Sequence, residues 1–225
     1  MDTARSRRPP SAVIFDLDGV LIDSEPVWER VRRDYVARHH GRWQPDSQDR
    51  LMGMSTPEWA AYLSGELGVE RSPEAVAADV IDLMGEDYGE RPPLLPGAVA
   101  AVRRLATRWP LGLASSSPPR LIDLVLGLAG LEGQFQVRVS TEEVGRGKPA
   151  PDVYLEAAAR LGQAPAACVA VEDSSNGVRS AAAAGMRVVA VPGERYPLAA
   201  DAEAAASLTL AGLDELTVAT VDGLR

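Results

Sequence analysis

Four short apolar segments of this 225-residue chain are each followed by side chains that can take part in catalysis or bind a cation. Acidic residues follow the first and the fourth segment, hydroxyl residues follow the second, and the chain's only lysine comes shortly after the third. In chain order, these residues are Asp16, Asp18, Ser115, Ser116, Lys148, Glu172 and Asp173. If the segments are parallel strands, their carboxyl ends meet at one edge of a sheet and bring these side chains together.

This set of side chains is suited to the metal-assisted transfer of a phosphoryl group. Carboxylates from two strand ends can hold a hard divalent cation, most naturally Mg²⁺. One aspartate can act as a nucleophile once a metal reduces its repulsion from a phosphate dianion, and a second aspartate two residues on can supply and recover a proton. Hydroxyl groups and a lysine can hold the oxygens of the transferred group.

Each of these residues also has a purely structural explanation when it is taken alone. Paired acids after a strand often cap a helix or stabilise a turn, and serines beside Pro118 and Pro119 are typical of a loop. Gly147-Lys148-Pro149 is typical of a surface turn, and Glu172-Asp173-Ser174 could simply cap a helix that begins near Gly177. All of them occur in order at successive strand ends, however, and this combination favours an active site.

The spacing of apolar residues predicts an α/β protein with a Rossmann-like parallel sheet and helices on both faces. Short apolar segments predict strands at residues 12–15, 111–114, 136–139, 168–171 and 187–191. Helical patterns between and after these strands lie at residues 98–108, 120–128, 152–161, 177–184 and 199–206.

An all-helical segment interrupts the alternation of strands and helices. Helix start signals occur at Ser24, Thr56 and Ser72, each with a proline one or two residues later, and residues 41–49 are expected to be a polar loop.

The domain organisation follows from this interruption. We expect a core domain formed by residues 11–22 and 93–225, with residues 23–92 inserted as a helical cap. Residues 1–10 are basic and end in two prolines, and they are expected to be a disordered tail.

The overall composition is that of an acidic globular protein, with a formal net charge of −9 and 46% hydrophobic residues. The acidic balance argues against a nucleic-acid partner or an anionic membrane surface. No apolar stretch approaches the roughly 20 residues of a membrane span, and no export signal is visible, so we expect a cytoplasmic protein. The single cysteine, Cys168, excludes an intramolecular disulfide, and the only histidines, His39 and His40, exclude a multi-histidine metal site.

Three segments resemble the haloacid dehalogenase-like hydrolase superfamily with high specificity: residues 15–25, 147–152 and 171–177. Residues 113–117 resemble a fourth, weaker motif in the right order. The resemblance covers nearly all of residues 11–193. The most similar branch has a small helical cap after the first strand and includes sugar phosphatases and β-phosphoglucomutases.

The resemblance implies a catalytic role for each of four residues. Asp16 would attack phosphorus to give an aspartyl-phosphate, and Asp18 would protonate the leaving alcohol and later activate water. Ser115 would hydrogen-bond a phosphoryl oxygen, together with backbone N–H groups after Asp16. Lys148 would neutralise negative charge on the nucleophile and the phosphate.

The resemblance also implies the residues that bind metal and substrate. Mg²⁺ would be bound by Asp16, the backbone carbonyl of Asp18, Asp173, and Glu172 either directly or through water. The candidate substrate-binding residues are Gly19, Ser116, Trp28, Gly53, Met54 and Ser55. The loop that contains the last three resembles a substrate-specificity loop of the family, although a plain turn before a helix would explain it as well. Trp59 and Tyr62 are expected to pack in the core of the cap.

The residues present narrow the reaction within the superfamily. Asp18 and Asp173 argue against a dehalogenase, and the absence of a cap lysine nearly excludes a phosphonate-cleaving enzyme. A β-phosphoglucomutase uses a cap histidine at the position of Trp28, and a cap lysine that this chain lacks. We therefore expect a monomeric or weakly dimeric phosphatase that acts on a small phosphorylated metabolite such as a sugar phosphate.

Two alternatives remain open. A β-phosphoglucomutase-like phosphomutase would share the whole core site. A non-catalytic binding protein of the same fold is less favoured, because such a protein would normally have lost Asp16 or Lys148, and both are present.

Overall fold

The structure is a computed structural model that describes residues 9–51, 54–193 and 195–224. Within these ranges six strands form one sheet in the order β3-β2-β1-β4-β5-β6, and every neighbouring pair is parallel. The strands are β1 (Ala12–Phe15), β2 (Leu111–Ser115), β3 (Phe135–Ser140), β4 (Cys168–Glu172), β5 (Arg187–Ala190) and β6 (Leu208–Thr209). This architecture confirms the predicted α/β fold class. The two-residue strand β6 is too short to produce a periodic signal in the sequence.

Helices cover both faces of the sheet. The helices that follow the cap segment are α5 (Ala98–Ala106), α6 (Pro119–Leu128), α7 (Asp152–Arg160), α8 (Ser175–Ala183), α9 (Ala200–Ala205) and α10 (Val218–Asp222). Alternate residues of β1 enter different clusters, because successive side chains of a strand point to opposite faces. Val13 and Phe15 join a cluster with α5, α6 and α10. Ala12 and Ile14 join a cluster with α7, α8 and α9.

Four helices lie between β1 and α5: α1 (Glu25–Arg38), α2 (Ser47–Leu51), α3 (Thr56–Gly65) and α4 (Pro73–Glu90). They correspond to the segment that the sequence predicts as an inserted cap. The prediction of a loop over residues 41–49 was wrong at its end, because α2 begins at Ser47. This five-residue helix contains one apolar side chain, the buried Leu51, so it has no periodic pattern that a sequence could reveal.

The packed core begins one residue before the predicted start of the core domain. Pro10 is buried, and its carbonyl accepts a hydrogen bond of 3.0 Å from the indole N–H of Trp109. The structure therefore places Pro10 in the packed domain, whereas residues 1–8 of the predicted tail lie outside the described residues. None of the helices in the described ranges combines the length and the apolar character that crossing a membrane would require.

Candidate active site

The parallel register brings the ends of β1, β2 and β4 side by side. Phe15 pairs with Leu113 of β2 on one side and with Val171 of β4 on the other. The residues that follow these positions, Asp16 and Glu172, therefore project from the same edge of the sheet. Lys148 lies between them, with its Nζ 3.0 Å from Oδ2 of Asp16 and 2.7 Å from Oε1 of Glu172.

Asp16 is a buried carboxylate held by two donors. Its Oδ1 accepts a hydrogen bond of 2.7 Å from the backbone N–H of Leu17, and its Oδ2 faces Lys148. Burial raises the pKa of the Asp16 carboxyl, Lys148 opposes this, and the neighbouring Glu172 raises it further. The lysine is thus the group that favours the ionised, nucleophilic form of Asp16.

Glu172 has no exposed surface, and both of its oxygens accept hydrogen bonds. Oε1 accepts from Lys148 and from the hydroxyl of Tyr154 at 2.8 Å. Oε2 accepts from the backbone N–H of Asp173 at 3.1 Å, and from the backbone N–H and hydroxyl of Ser174 at 3.3 and 3.2 Å. Gly177 lies against this carboxylate so closely that a Cβ there would overlap it. These contacts fix the orientation of Glu172.

Three acidic residues converge on a point where a cation fits. One carboxylate oxygen each from Asp16, Glu172 and Asp173 lies within 4.8 Å of the others. Burial and the charge of Glu172 raise the pKa of Asp173, as expected for like charges held close together. Gly19 has a left-handed φ of 73°, and a Cβ there would overlap the Asp173 carboxylate, so the glycine gives the acid its space. A donor set of oxygens alone suits a hard divalent ion.

Asp18 is held by three hydroxyl groups. Ser24 donates to Oδ1 at 2.6 Å, whereas Ser117 and Ser115 donate to Oδ2 at 2.7 and 3.1 Å. Ser24 is the residue before α1, but its side chain makes no capping hydrogen bond and binds Asp18 instead. Ser115 is fully buried against Asp18, and Ser116 lines the adjacent cavity.

A cavity of about 450 Å³ separates the strand ends from the helical segment 25–90. Its lining residues from the strand ends include Asp16, Asp18, Gly19, Ser116, Lys148 and Asp173. The lining residues from the helical segment are Glu25, Trp28, Arg32, Leu51, Met54, Thr56 and Trp59. The cavity therefore places aromatic and charged side chains of the helices opposite the acidic cluster.

The predicted substrate-binding residues of the cap fall in different places. Trp28 and Met54 line the cavity, whereas Ser55 caps α3 through its backbone N–H and hydroxyl, which donate to Glu58 at 2.7 and 2.6 Å. Gly53 lies outside the described residues. Trp59 is buried as expected for the cap core, but it also forms part of the cavity wall.

Several residues of this region were not recognised as site residues from the sequence. Ser117 follows Ser115 by two residues, a spacing that could have suggested it. Glu25 and Arg32 share one face of α1 with Trp28, since spacings of three and four residues place side chains together on a helix. Tyr154 could not be recognised from the sequence, because its contact with Glu172 depends on how α7 packs across the sheet.

Comparisons with known proteins agree with this geometry. Residues 10–185 match the family model for haloacid dehalogenase-like hydrolases. Hexitol phosphatase B of Escherichia coli (strain K12) is 39% identical over 189 residues, which cover 80% of this chain and 83% of that protein. Fructose-1-phosphate phosphatase YqaB of the same organism is 32% identical over 183 residues, covering 80% of this chain and 96% of that one.

A solved structure has the same overall arrangement. The HAD family hydrolase from Deinococcus radiodurans R1, with bound phosphate and sodium, has a TM-score of 0.69 and 29% identity. The match covers 96% of this chain and 97% of that one. The resemblance seen in the sequence is confirmed, and the chain belongs to the haloacid dehalogenase-like hydrolase family.

Proposed function

We propose that this protein is a Mg²⁺-dependent phosphatase that hydrolyses a small phosphorylated sugar or sugar alcohol through an aspartyl-phosphate on Asp16. The observation that carries the proposal is the position of Asp16, which lies beside Lys148 and the acidic cluster and faces a cavity large enough for a small metabolite. The relatives named as hexitol and fructose-1-phosphate phosphatases support the substrate class.

The first step is attack by an ionised oxygen of Asp16 on phosphorus. The bond between phosphorus and the substrate's ester oxygen breaks, and Asp18 gives the departing oxygen its proton. The hydrogen bonds from Ser24, Ser115 and Ser117 hold the Asp18 carboxyl in place for this transfer.

The second step returns Asp16 to its free form. Asp18, now ionised, takes a proton from water as the water oxygen attacks phosphorus, and the bond between phosphorus and Asp16 breaks. Inorganic phosphate leaves, and Asp18 is again protonated for the next cycle. Lys148 provides positive charge beside Asp16 in both steps.

Mg²⁺ would be held by the carboxylates of Asp16 and Asp173 and by the backbone carbonyl of Asp18. When bound, the ion neutralises charge on the phosphate and on the carboxylate that attacks it. Glu172 already accepts hydrogen bonds from Lys148, Tyr154, Asp173 and Ser174. These bonds favour contact between Glu172 and the ion through a water molecule.

Hydrolysis is favoured over phosphomutation by the residue at the cavity wall. Trp28 stands where the mutase resemblance would require histidine, and its indole N–H can donate a hydrogen bond but has no acid–base function near neutral pH. Nothing at this position would restrain Asp18 from activating water. We further propose a cytoplasmic location, in keeping with a single, buried cysteine, Cys168. A monomer or weak dimer remains our expectation for the oligomeric state.

The test is a phosphate-release screen of the full chain with phosphorylated sugars, sugar alcohols and nucleotides, with and without Mg²⁺. We expect release from sugar or sugar-alcohol phosphates in the presence of Mg²⁺ and none with the Asp16→Asn variant. A folded wild-type protein that releases phosphate from no member of the panel would contradict the proposal.

A further inference from the structure

Arg32 of α1 is a buried cation in the cavity wall. Its guanidinium packs against two indole rings, with the guanidinium carbon 4.5 Å from the centre of Trp28 and 5.0 Å from that of Trp59. Only 6% of the residue is exposed, and its Nε has no hydrogen-bond partner among the described residues. Arg32 also lines the cavity, and a buried cation with so few partners suits a ligand there that supplies acceptor atoms.

The two tryptophans limit the directions in which Arg32 can bind a ligand. The rings of Trp28 and Trp59 lie 6.0 Å apart and are tilted by 56°, and the guanidinium packs against both. Cation–π contact with these rings favours one position of the guanidinium. Arg32 therefore meets a ligand in the cavity with a charged head group whose position is already restrained.

Glu25 provides the opposite charge on the same face of α1. It also lines the cavity, and its Oε2 accepts a hydrogen bond of 2.9 Å from Gln48. Burial raises the pKa of Glu25 and Arg32 lowers it, whereas burial lowers the pKa of Arg32 to about 10 and Glu25 opposes this. The two groups therefore act on each other electrostatically, and together they add no net charge to the cavity wall.

We propose that Arg32 and Glu25 form a subsite for neighbouring hydroxyl groups of the substrate, at the end remote from its phosphate. This inference rests on the proposed phosphatase function. One hydroxyl oxygen accepts from Arg32 and a second hydroxyl donates to Glu25, so a neutral polyol satisfies both side chains. A second phosphate or a carboxylate would satisfy Arg32 but would meet the negative charge of Glu25.

The test compares two substrates of the full-length enzyme with Mg²⁺: a hexitol 6-phosphate, and n-hexyl phosphate, which has a chain of the same length without hydroxyls. We expect Arg32→Met and Glu25→Gln each to lower kcat/KM for the hexitol phosphate by about 10- to 100-fold. We expect kcat/KM for n-hexyl phosphate to change less than about threefold, because this substrate makes neither hydrogen bond. Arg32→Lys keeps the charge but loses the planar set of N–H donors. We expect this variant to give an intermediate loss of kcat/KM for the hexitol phosphate and no loss for n-hexyl phosphate.

The matched control is Arg33→Met on the same helix. Arg33 is exposed, and its Nη1 lies 3.8 Å from Oε1 of Glu29. This variant therefore removes an arginine without changing the cavity. We expect it to leave kcat/KM unchanged for both substrates.

Four outcomes would count against the subsite. Equal losses on both substrates in Arg32→Met and Glu25→Gln would show that these residues only support the fold, and would leave the phosphatase function standing. A wild-type preference for a hexitol bisphosphate that disappears in Arg32→Met would show that the subsite binds an anion instead. A folded wild type that hydrolyses other sugar phosphates but not the hexitol 6-phosphate would overturn the polyol subsite alone, whereas release of phosphate from no substrate of the wider panel would overturn the proposed function and the subsite with it.

Discussion

The Nζ of Lys148 lies 3.0 Å from Oδ2 of Asp16, and each side chain is less than a tenth exposed. Burial alone would lower the pKa of the lysine, but the adjacent Asp16 and Glu172 outweigh this effect and raise it. The lysine is therefore charged where it contacts the proposed nucleophile. Arginine could supply the same charge, but its planar, five-donor head group is larger than an ammonium and does not fit the same space.

We expect Lys148→Arg to lose most activity, by about 100-fold or more, with little change in thermal unfolding. The charge remains in the site, but the larger head group displaces Asp16 or Glu172. Phosphate release and the melting temperature are the measurements, and Arg146→Lys is the control because Arg146 is exposed and pairs with Asp152. A fully active Lys148→Arg variant would show that the site requires a positive charge at this position but not the compact ammonium group.

We expect Asp16→Asn to lower kcat by about 1000-fold or more in a protein that remains folded. The amide has nearly the shape of the carboxylate but lacks the charge and nucleophilicity that attack on phosphorus requires. Steady-state kinetics and circular dichroism would check both halves of this expectation. Substantial activity in the folded variant would show that another residue attacks phosphorus.

Removal of Mg²⁺ with a chelator is expected to abolish phosphate release, and its return to restore it. A carboxylate does not readily attack a phosphate dianion when neither charge is neutralised. Ca²⁺ should inhibit, because its larger and more flexible coordination shell misplaces the attacking oxygen. Full activity in excess chelator would exclude this mechanism.

Asp173→Ala is expected to weaken Mg²⁺ binding by about tenfold or more, measured as the Mg²⁺ concentration that gives half-maximal activity. Asp201→Ala is the control, because Asp201 is paired with Arg179 on the surface, away from the acidic cluster. An unchanged metal requirement in Asp173→Ala would remove this residue from the metal site.

Trp28→Ala is expected to change the preference among sugar phosphates more than the rate at which the aspartyl-phosphate is hydrolysed. The side chain forms the cavity wall and is not proposed to move a proton. The product assay uses β-glucose 1-phosphate with a trace of the 1,6-bisphosphate, and Trp43→Ala serves as a cap variant outside the cavity lining. Rapid formation of glucose 6-phosphate by the wild type, with little free phosphate, would establish the mutase alternative.

Gly177→Ala is expected to lower the free energy of unfolding by about 1–3 kcal/mol and to reduce activity, because the added methyl group overlaps the Glu172 carboxylate. Gly65→Ala is the matched control: it is also helical, and a Cβ there meets nothing within 4 Å. This control should be neutral or stabilise the fold by up to about 1 kcal/mol. Urea unfolding of both variants measures the difference, and equal stability would show that Glu172 readily moves aside.

Local sequence patterns were sufficient to predict most strands of the sheet and the active-site residues that follow them. The strand at Ala12–Phe15 was predicted with the observed bounds, because a short buried strand is a continuous apolar run. Convergence of Asp16, Lys148 and Glu172 at one edge follows from the parallel arrangement of the strands that carry them. These features depend on residues close together in the chain, or on a rule that applies to every parallel sheet.

Contacts between distant elements were decided only by the tertiary structure. Tyr154 reaches Glu172 because α7 packs across β1, β2 and β3 on the face of the sheet, and no local sequence pattern contains that contact. The contact of Ser24 with Asp18 also depends on the tertiary structure. The sequence predicts Ser24 as a helix N-cap, but its hydroxyl binds Asp18. Arg32 could be placed on one face of α1 from its spacing. That it is buried against Trp28 and Trp59, with no partner for its Nε among the described residues, depends on how α1 and α3 both pack on α4.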